Sequence, residues 1–546
     1  MSRFMKVLAS TLLLAFCLFL WLGLSAPTAV ASPPDPQPLS ATGNCYMDNI
    51  FYGAVPPGGQ HNPVLVFVHG YSGAAIDWWL SVPPYYDNDM YVRAYNAGYR
   101  TAFVNLNVDP SAPDCRVLRT PARSVIYNGF VLALQIEVIS QIYGVQQVDI
   151  VAHSKGGIDA QAGILWFGAA DRVGNVFTLS SPHQGSILAD LLWSPEGWWL
   201  ALLFGERDDA TYSIQTAPMQ VFRSIADADP IDDSISYYSA AGTDWSGGGG
   251  GLAWMGEWLA AQPDGGPNDG AVTVSSTYLP YASVLFQEPW NHSEVFMGRN
   301  AFPTILGVLQ GHQEKAFREA GLQGSSSMPV HRLNSIVRGG SLTEPVREEF
   351  PVEPQAQSIQ LSLFTSEADV GALLMGPNGA VHTFEAVPVA EYGLPRMAFL
   401  QKTSVEKPEA GLWGLEIDGS GIGGYMLLAT LDSKLNVELH GLPDRLLVPG
   451  ETLTLSTHVS PQPARVKQQE FRWSKRSGNI DGLSSTGSHL EVPVTDHQGF
   501  YGTSLSVSGE TGGGLPFERT FVRSIAVVDP GELKGSPWLL DELLKP

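Results

Sequence analysis

At 546 residues the chain is too long for a single hydrophobic core, and with 44% apolar and 16% charged residues it is folded rather than disordered. A net charge of −23 argues against nucleic acid as a partner and would repel an anionic membrane surface. These numbers leave a multidomain globular protein of two to four domains as the expectation.

Residues 1–31 read as a signal peptide. Arg3 and Lys6 precede an uncharged run from Val7 to Leu24, and Ala29-Val30-Ala31 offers an A-x-A cleavage site. An uncleaved anchor is the alternative reading of so long a run. Export predicts a secreted protein, with the periplasm or cell surface as the other destinations. Two cysteines remain after cleavage, Cys45 and Cys115. An even pair in an oxidising compartment favours a disulfide over two buried thiols.

Residues 45–322 carry an α/β pattern. Pro63–Gly70 and Tyr99–Leu106 are continuous apolar runs, as strands buried on both faces require. Between Ser124 and Tyr143 apolar residues recur at helical spacing, and strands at Val148–Val151 and Val176–Ser181 follow. Strands alternating with helices predict a mostly parallel sheet. The run Val148–Gly157 ends a β-branched strand in Ala152-His153-Ser154-Lys155-Gly156, and Ile158–Ala162 opens a helix. A serine on a strained strand-to-helix turn needs small residues two before and two after it. This A-x-S-x-G stretch therefore predicts a nucleophile elbow.

Ile187–Gly205 is apolar and holds Trp193, Trp198 and Trp199 beside Pro195 and Gly197. It is either a core helix or a lid, spanning about 187–210, whose apolar face meets lipid when open. The polar, glycine-rich stretch 323–350 predicts a linker. Beyond it, alternating short strands predict one β-sandwich over 351–433 and a second, immunoglobulin-like one over 434–531. In the second, Asp496–Tyr501 fits a tyrosine corner, and Thr503 stands where a disulfide cysteine would fall. Residues 532–546 read as a short tail.

A serine nucleophile needs a base, an acid to orient the base, and an oxyanion hole. After Ser154 the chain offers Asp269 in Asn268-Asp269-Gly270 and then His292 in Asn291-His292, both on predicted loops in the order Ser, Asp, His. His69-Gly70 at a strand end places the N–H of Tyr71 as one oxyanion donor, and the N–H of Lys155 is the other. The lysine side chain is expected to play no part.

Val66–Gly70, Ala152–Gly157, Leu179–Ser186, Tyr237–Ser239, Asn268–Gly270 and Asn291-His292 together resemble the secreted bacterial lipases and esterases of the α/β-hydrolase superfamily. The resemblance is to Pseudomonas/Burkholderia-type lipases and Bacillus lipases with A-H-S-x-G-G. It covers roughly residues 45–320. It implies an α/β-hydrolase domain with nucleophile Ser154, acid Asp269 and base His292, requiring no cofactor. Those lipases hold a structural Ca²⁺ through an aspartate two residues after the catalytic histidine. Here that residue is Glu294, which leaves a calcium site or a solvated glutamate as alternatives. The implied activity is hydrolysis of lipid or other apolar esters. An extracellular polyhydroxyalkanoate-type depolymerase and an exported scaffold with an inert hydrolase domain are the rival readings. The expected partners are an ester substrate and, through the C-terminal sandwiches, a lipid–water interface, a polymer or a cell surface.

Overall fold

The computed structural model describes residues 32–39, 42–56, 61–82, 86–112, 122–197, 207–228, 234–245, 255–311, 330–367, 370–387, 399–419, 423–533 and 537–544. The signal-peptide expectation for 1–31 lies outside them, as do Cys115, Trp198 and Trp199.

Eight strands form the central sheet of the N-terminal half. They are β1 (Gln37–Pro38), β2 (Ile50–Tyr52), β3 (His61–Val68), β4 (Tyr99–Val104), β5 (Val148–His153), β6 (Val173–Leu179), β7 (Ser236–Gly242) and β8 (Ser283–Glu288). Their order is β1-β2-β4-β3-β5-β6-β7-β8. Only the β1–β2 and β2–β4 pairings are antiparallel. This is the mostly parallel sheet that the apolar runs predict. Val64–Val68, Ala102–Val104 and Val148–Ala152 are buried on both faces.

Helix α1 (Val125–Tyr143) starts at Ser124, whose hydroxyl accepts from the Tyr127 N–H, and stops at Gly144 with φ 64°. It packs on α2 (Lys155–Trp166) so closely that a Cβ at Gly129 would lie 2.8 Å from the Gly163 nitrogen. Two more helices, α3 (Ile187–Trp193) and α4 (Asp209–Ser213), form the two ends of the stretch expected to be a lid, and α5 (Thr216–Ala226) follows.

The C-terminal half is two sandwiches. The first faces a five-stranded sheet against the four strands Val346–Val352, Gly411–Ile417, Ala372–Met375 and Val381–Thr383. The second faces the sheet holding Asn436–His440 against the one holding Gly499–Glu510 and Pro516–Val527. Its tyrosine corner closes as expected, the Tyr501 hydroxyl donating to the His497 carbonyl at 2.8 Å. Phe471 is the buried aromatic of its strand, while Trp473 is half-buried.

Two expectations are corrected. The stretch 323–350 is not simply a linker, because His331–Arg332, Ser335–Ser341 and Val346–Val352 are strands. Glycines 339 and 340 belong to a strand, pairing with Met426 and Tyr425, and a Cβ at Gly340 would meet the Tyr425 ring at 2.8 Å. Residues 532–546 are not a free tail either. Helix α6 (Pro537–Leu544) buries Leu540 and Leu544 in the core that also holds Phe222 and Phe500.

That core runs continuously from one half to the other. Ile187, Leu191, Trp193, Ala217 and Phe222 pack with Phe364, Met426, Phe500, Val522 and Leu540. Buried polar contacts lock it. The Asp190 carboxylate accepts from Ser524 Oγ at 2.6 Å and from the Thr216 N–H at 3.0 Å. Glu196 accepts from Ser504 Oγ at 2.8 Å and from Arg472 at 3.0 Å. Burial raises the pKa of both carboxyls. Backbones touch at Gly502, where a Cβ would lie 2.0 Å from the Trp193 carbonyl oxygen.

Candidate active site

Ser154 lies between buried β5 and α2 at the centre of the parallel sheet, with φ 53° and ψ −131°. This is left-handed backbone, strained for a residue with a Cβ, and the surroundings over-determine it. The Ser154 N–H donates to the Leu179 carbonyl at 2.9 Å. A Cβ at Gly156 would stand 2.4 Å from the His69 carbonyl oxygen, and one at Gly157 2.2 Å from Ser181 Oγ. The small residues after the serine are therefore a steric need, as the sequence pattern implies.

The loops bring Asp269 and His292 to this serine. His292 Nε2 lies 3.1 Å from Ser154 Oγ, and His292 Nδ1 lies 2.8 Å from Asp269 Oδ2. Asp269 is held rigidly. Its Oδ1 accepts the N–H groups of Ala271 at 3.0 Å and Val272 at 2.8 Å. Asn268 ties the turn by donating to the Gly256 and Gly266 carbonyls and accepting from the Gly270 N–H. With Nδ1 carrying a proton toward buried Asp269, Nε2 is left as the acceptor facing the serine hydroxyl.

Two histidines that the sequence reading gave no role support the site. His153 Nε2 donates to the His292 carbonyl at 2.9 Å, and its ring stacks on Phe296 at 4.0 Å between centroids. Burial, first, and the neighbouring His292 hold its pKa well below the ordinary value, so it stays neutral beside the site. His69 accepts the Leu106 N–H on Nε2 at 3.0 Å, so Nδ1 carries its proton and donates to the Gly70 carbonyl at 2.8 Å. Burial lowers its pKa to about 4. The signal for both was their adjacency to Gly70 and Ser154, but Leu106 and the His292 carbonyl, which complete their bonding, lie far off in sequence.

The oxyanion donors follow from this. The Gly70 carbonyl also accepts the Gly73 N–H at 3.1 Å. Pinned by two donors, that carbonyl fixes the peptide plane it shares with the Tyr71 N–H, which points the opposite way. A Cβ at Gly70 would be 2.8 Å from the Ser154 Cβ, so this peptide lies against the serine. Lys155 is the first residue of α2, and its N–H is one of those a helix leaves without an intrahelical acceptor.

The Lys155 side chain does more than expected. It is buried and donates to Asp159 Oδ1 at 2.6 Å, while Asp159 Oδ2 accepts from Asn128 at 3.0 Å. Burial lowers the lysine pKa and raises that of Asp159 to about 6, their mutual attraction opposing both shifts. A helix starting at the serine puts Lys155 and Asp159 one turn apart on its inner face.

Glu294 does not fit a calcium site. Its carboxylate accepts the Asn291 N–H at 3.1 Å, and Asn291 Oδ1 accepts the Glu294 N–H at 2.9 Å, a reciprocal cap of the loop after His292. Among the described residues no group of three or more His, Cys, Asp or Glu could hold a metal ion. Trp193 is not a solvent-facing lid residue. It is buried against Tyr212 at 4.8 Å between centroids, and its indole N–H donates to Thr211 Oγ1 at 3.2 Å. Trp198 and Trp199 lie outside the described residues. The Cys45 sulfur lies 3.8 Å from the Asp109 carbonyl oxygen; its expected partner, Cys115, is also outside them.

A serine at a strand-to-helix turn on a parallel sheet, with an acid and a histidine on later loops, defines an α/β-hydrolase. No family model matches the chain, and no curated protein matches it. Among solved structures it is similar to Bacillus licheniformis lipase BlEst2 in its propeptide form, at 27% identity and a TM-score of 0.69 over 88% of this chain and 98% of that one. The mature form of the same lipase matches 48% of this chain and 97% of its own at 35% identity and a TM-score of 0.41. The chain belongs to the lipases and esterases of the α/β-hydrolase superfamily.

Proposed function

We propose that the protein is a secreted serine carboxylic ester hydrolase acting on apolar acyl esters through an acyl-enzyme. The observation that carries this reading is His292 bridging Ser154 at 3.1 Å and Asp269 at 2.8 Å. In this mechanism His292 Nε2 takes the Ser154 proton as Oγ attacks the ester carbonyl carbon. The N–H groups of Tyr71 and Lys155 receive the negative charge that develops on the carbonyl oxygen. Collapse breaks the bond to the alkoxy group, which leaves with the proton from His292. Water, deprotonated by His292, then attacks the acyl-serine and releases the acid. Asp269 keeps the imidazole in the right tautomer and stabilises its cation.

The test is turnover of p-nitrophenyl butyrate and labelling by a fluorophosphonate, with Ser154→Ala as control. The variant is expected to lose both. Wild-type turnover in the variant would end the assignment, and an unlabelled wild-type chain would favour the inert-scaffold reading.

A second reading concerns the C-terminal half. The Bacillus licheniformis lipase that matches over 88% of this chain is in a propeptide form. We infer that the sandwiches here support the catalytic half through the buried contacts at Asp190, Glu196 and Trp193. A fall in ester turnover after limited proteolysis between the halves is the expected result; unchanged or raised turnover after complete cleavage would refute it.

A further inference from the structure

We propose that Asp208 is a positioning residue that ties the oxyanion peptide to the C-terminal half of the chain. The proposal rests on the reading of Ser154 as nucleophile. Tyr71, whose N–H is the oxyanion donor, also places its hydroxyl 3.0 Å from Asp208 Oδ2, to which it donates. The other carboxylate oxygen accepts the Thr211 N–H at 2.8 Å, making Asp208 the N-cap of α4. One carboxylate thus joins the oxyanion turn to a helix. Burial raises the Asp208 pKa, and the Thr211 and Tyr71 bonds together with nearby Lys155 oppose the rise.

The far side of α4 is held by the second sandwich. The Tyr212 hydroxyl donates to the Phe500 carbonyl at 3.3 Å. Arg476 pairs with Asp209, and its guanidinium lies 4.7 Å from the Tyr212 ring centroid. The contacts form an unbroken line from Arg476 and Phe500, through α4, to Asp208, Tyr71 and the N–H beside Ser154. The carbonyl end of the Gly70–Tyr71 peptide is fixed by His69 and Gly73. The Tyr71–Asp208 bond restrains the rest of the residue, at its side-chain tip. Tyr71 sits next to Ser72, whose φ is 48°, so the turn is strained and needs outside support. A shift of α4 therefore moves an oxyanion donor rather than a substrate-binding wall, and its signature is in kcat.

The experiment uses the full chain with p-nitrophenyl acetate and four variants: Tyr71→Phe, Asp209→Asn, the two combined, and Ser154→Ala. Tyr71→Phe keeps the backbone donor and deletes only the tether. It is expected to lower kcat about tenfold with KM within about twofold. Asp209→Asn breaks the ion pair to Arg476 from its more exposed side. It is expected to lower kcat severalfold alone and not at all in the Tyr71→Phe background. Melting temperatures of all four should stay near wild type. Wild-type kcat in Tyr71→Phe, or losses that multiply in the combined variant, would overturn the coupling while Ser154→Ala remained inactive. Turnover surviving in Ser154→Ala would instead sink the serine reading itself.

Discussion

Lys155 adjoins the nucleophile, yet its side chain is anchored away from the chemistry, which makes Lys155→Met a test of what supports the elbow. The Nζ to Oδ1 distance is 2.6 Å and each side chain is 2% exposed. Removing the lysine leaves a buried carboxylate with Asn128 as its remaining hydrogen-bond partner. Breaking such a pair from one side costs about 3–5 kcal/mol. At about 2–4 °C per kcal/mol for a domain of this size, the hydrolase transition should fall by roughly 10 °C. The pH dependence has a fixed sign. Asp159 already has a folded pKa raised to about 6, and loss of Lys155 raises it further. A raised carboxyl contributes stability at low pH that is lost as pH rises through its folded pKa. The deficit of Lys155→Met should therefore be larger at alkaline than at mildly acidic pH, as read by melting followed by circular dichroism. Lys155→Met/Asp159→Leu should recover most of the loss. A single variant melting like wild type at alkaline pH, or a double variant no better than the single, would refute the argument.

Three further outcomes are expected. Asp269→Asn should cut kcat by about 10⁴ with little change in KM, because His292 is left in the wrong tautomer; a loss under about tenfold would remove Asp269 from the role. Asp149 is buried and its pKa is raised to about 6 by burial, against the opposing bonds from Asn175. The Asp149 contribution to wild-type stability should thus fall by about 2 kcal/mol as pH rises from about 4 to about 6, and Asp149→Asn should make the pH slope shallower in denaturant titrations. Gly502→Ala drives a Cβ into the Trp193 carbonyl and should part the two halves locally. Faster limited proteolysis than wild type is the expected reading, and an unchanged time course would count against it.

The sequence was most legible where a few neighbouring residues settle the outcome. Small residues around Ser154 and continuous apolar runs at β3, β4 and β5 are local demands of a tight turn and a two-sided sheet. The order of Ser154, Asp269 and His292 was readable because each sits at a strand end or on a loop. What escaped depends on partners far along the chain. Gly339 and Gly340 look like linker until the strand holding Tyr425 and Met426 pairs with them. Trp193 looks like a lid residue until Tyr212 and Gly502 close around it. The buried roles of Lys155, His69 and His153 arise from Asp159, Gly70 and the His292 carbonyl. Of these partners, only Gly70 and Asp159 are near neighbours in sequence. The leucines of 537–544 read as part of a tail, because nothing in their own order says which surface receives them.

The strand His331–Arg332 pairs with Asn436–His440, His331 lying opposite Leu439. The chain thus lays the first edge of the second sandwich, builds the whole first sandwich, and then returns to finish the second. The two are nested rather than strung in series. Neither can be deleted or grafted as a cassette without stranding a strand of its neighbour. During synthesis the early edge must wait for a partner about a hundred residues downstream. The late closure of that long loop keeps the second sandwich incomplete until its last strands, Gly499–Glu510 and Pro516–Val527, have emerged.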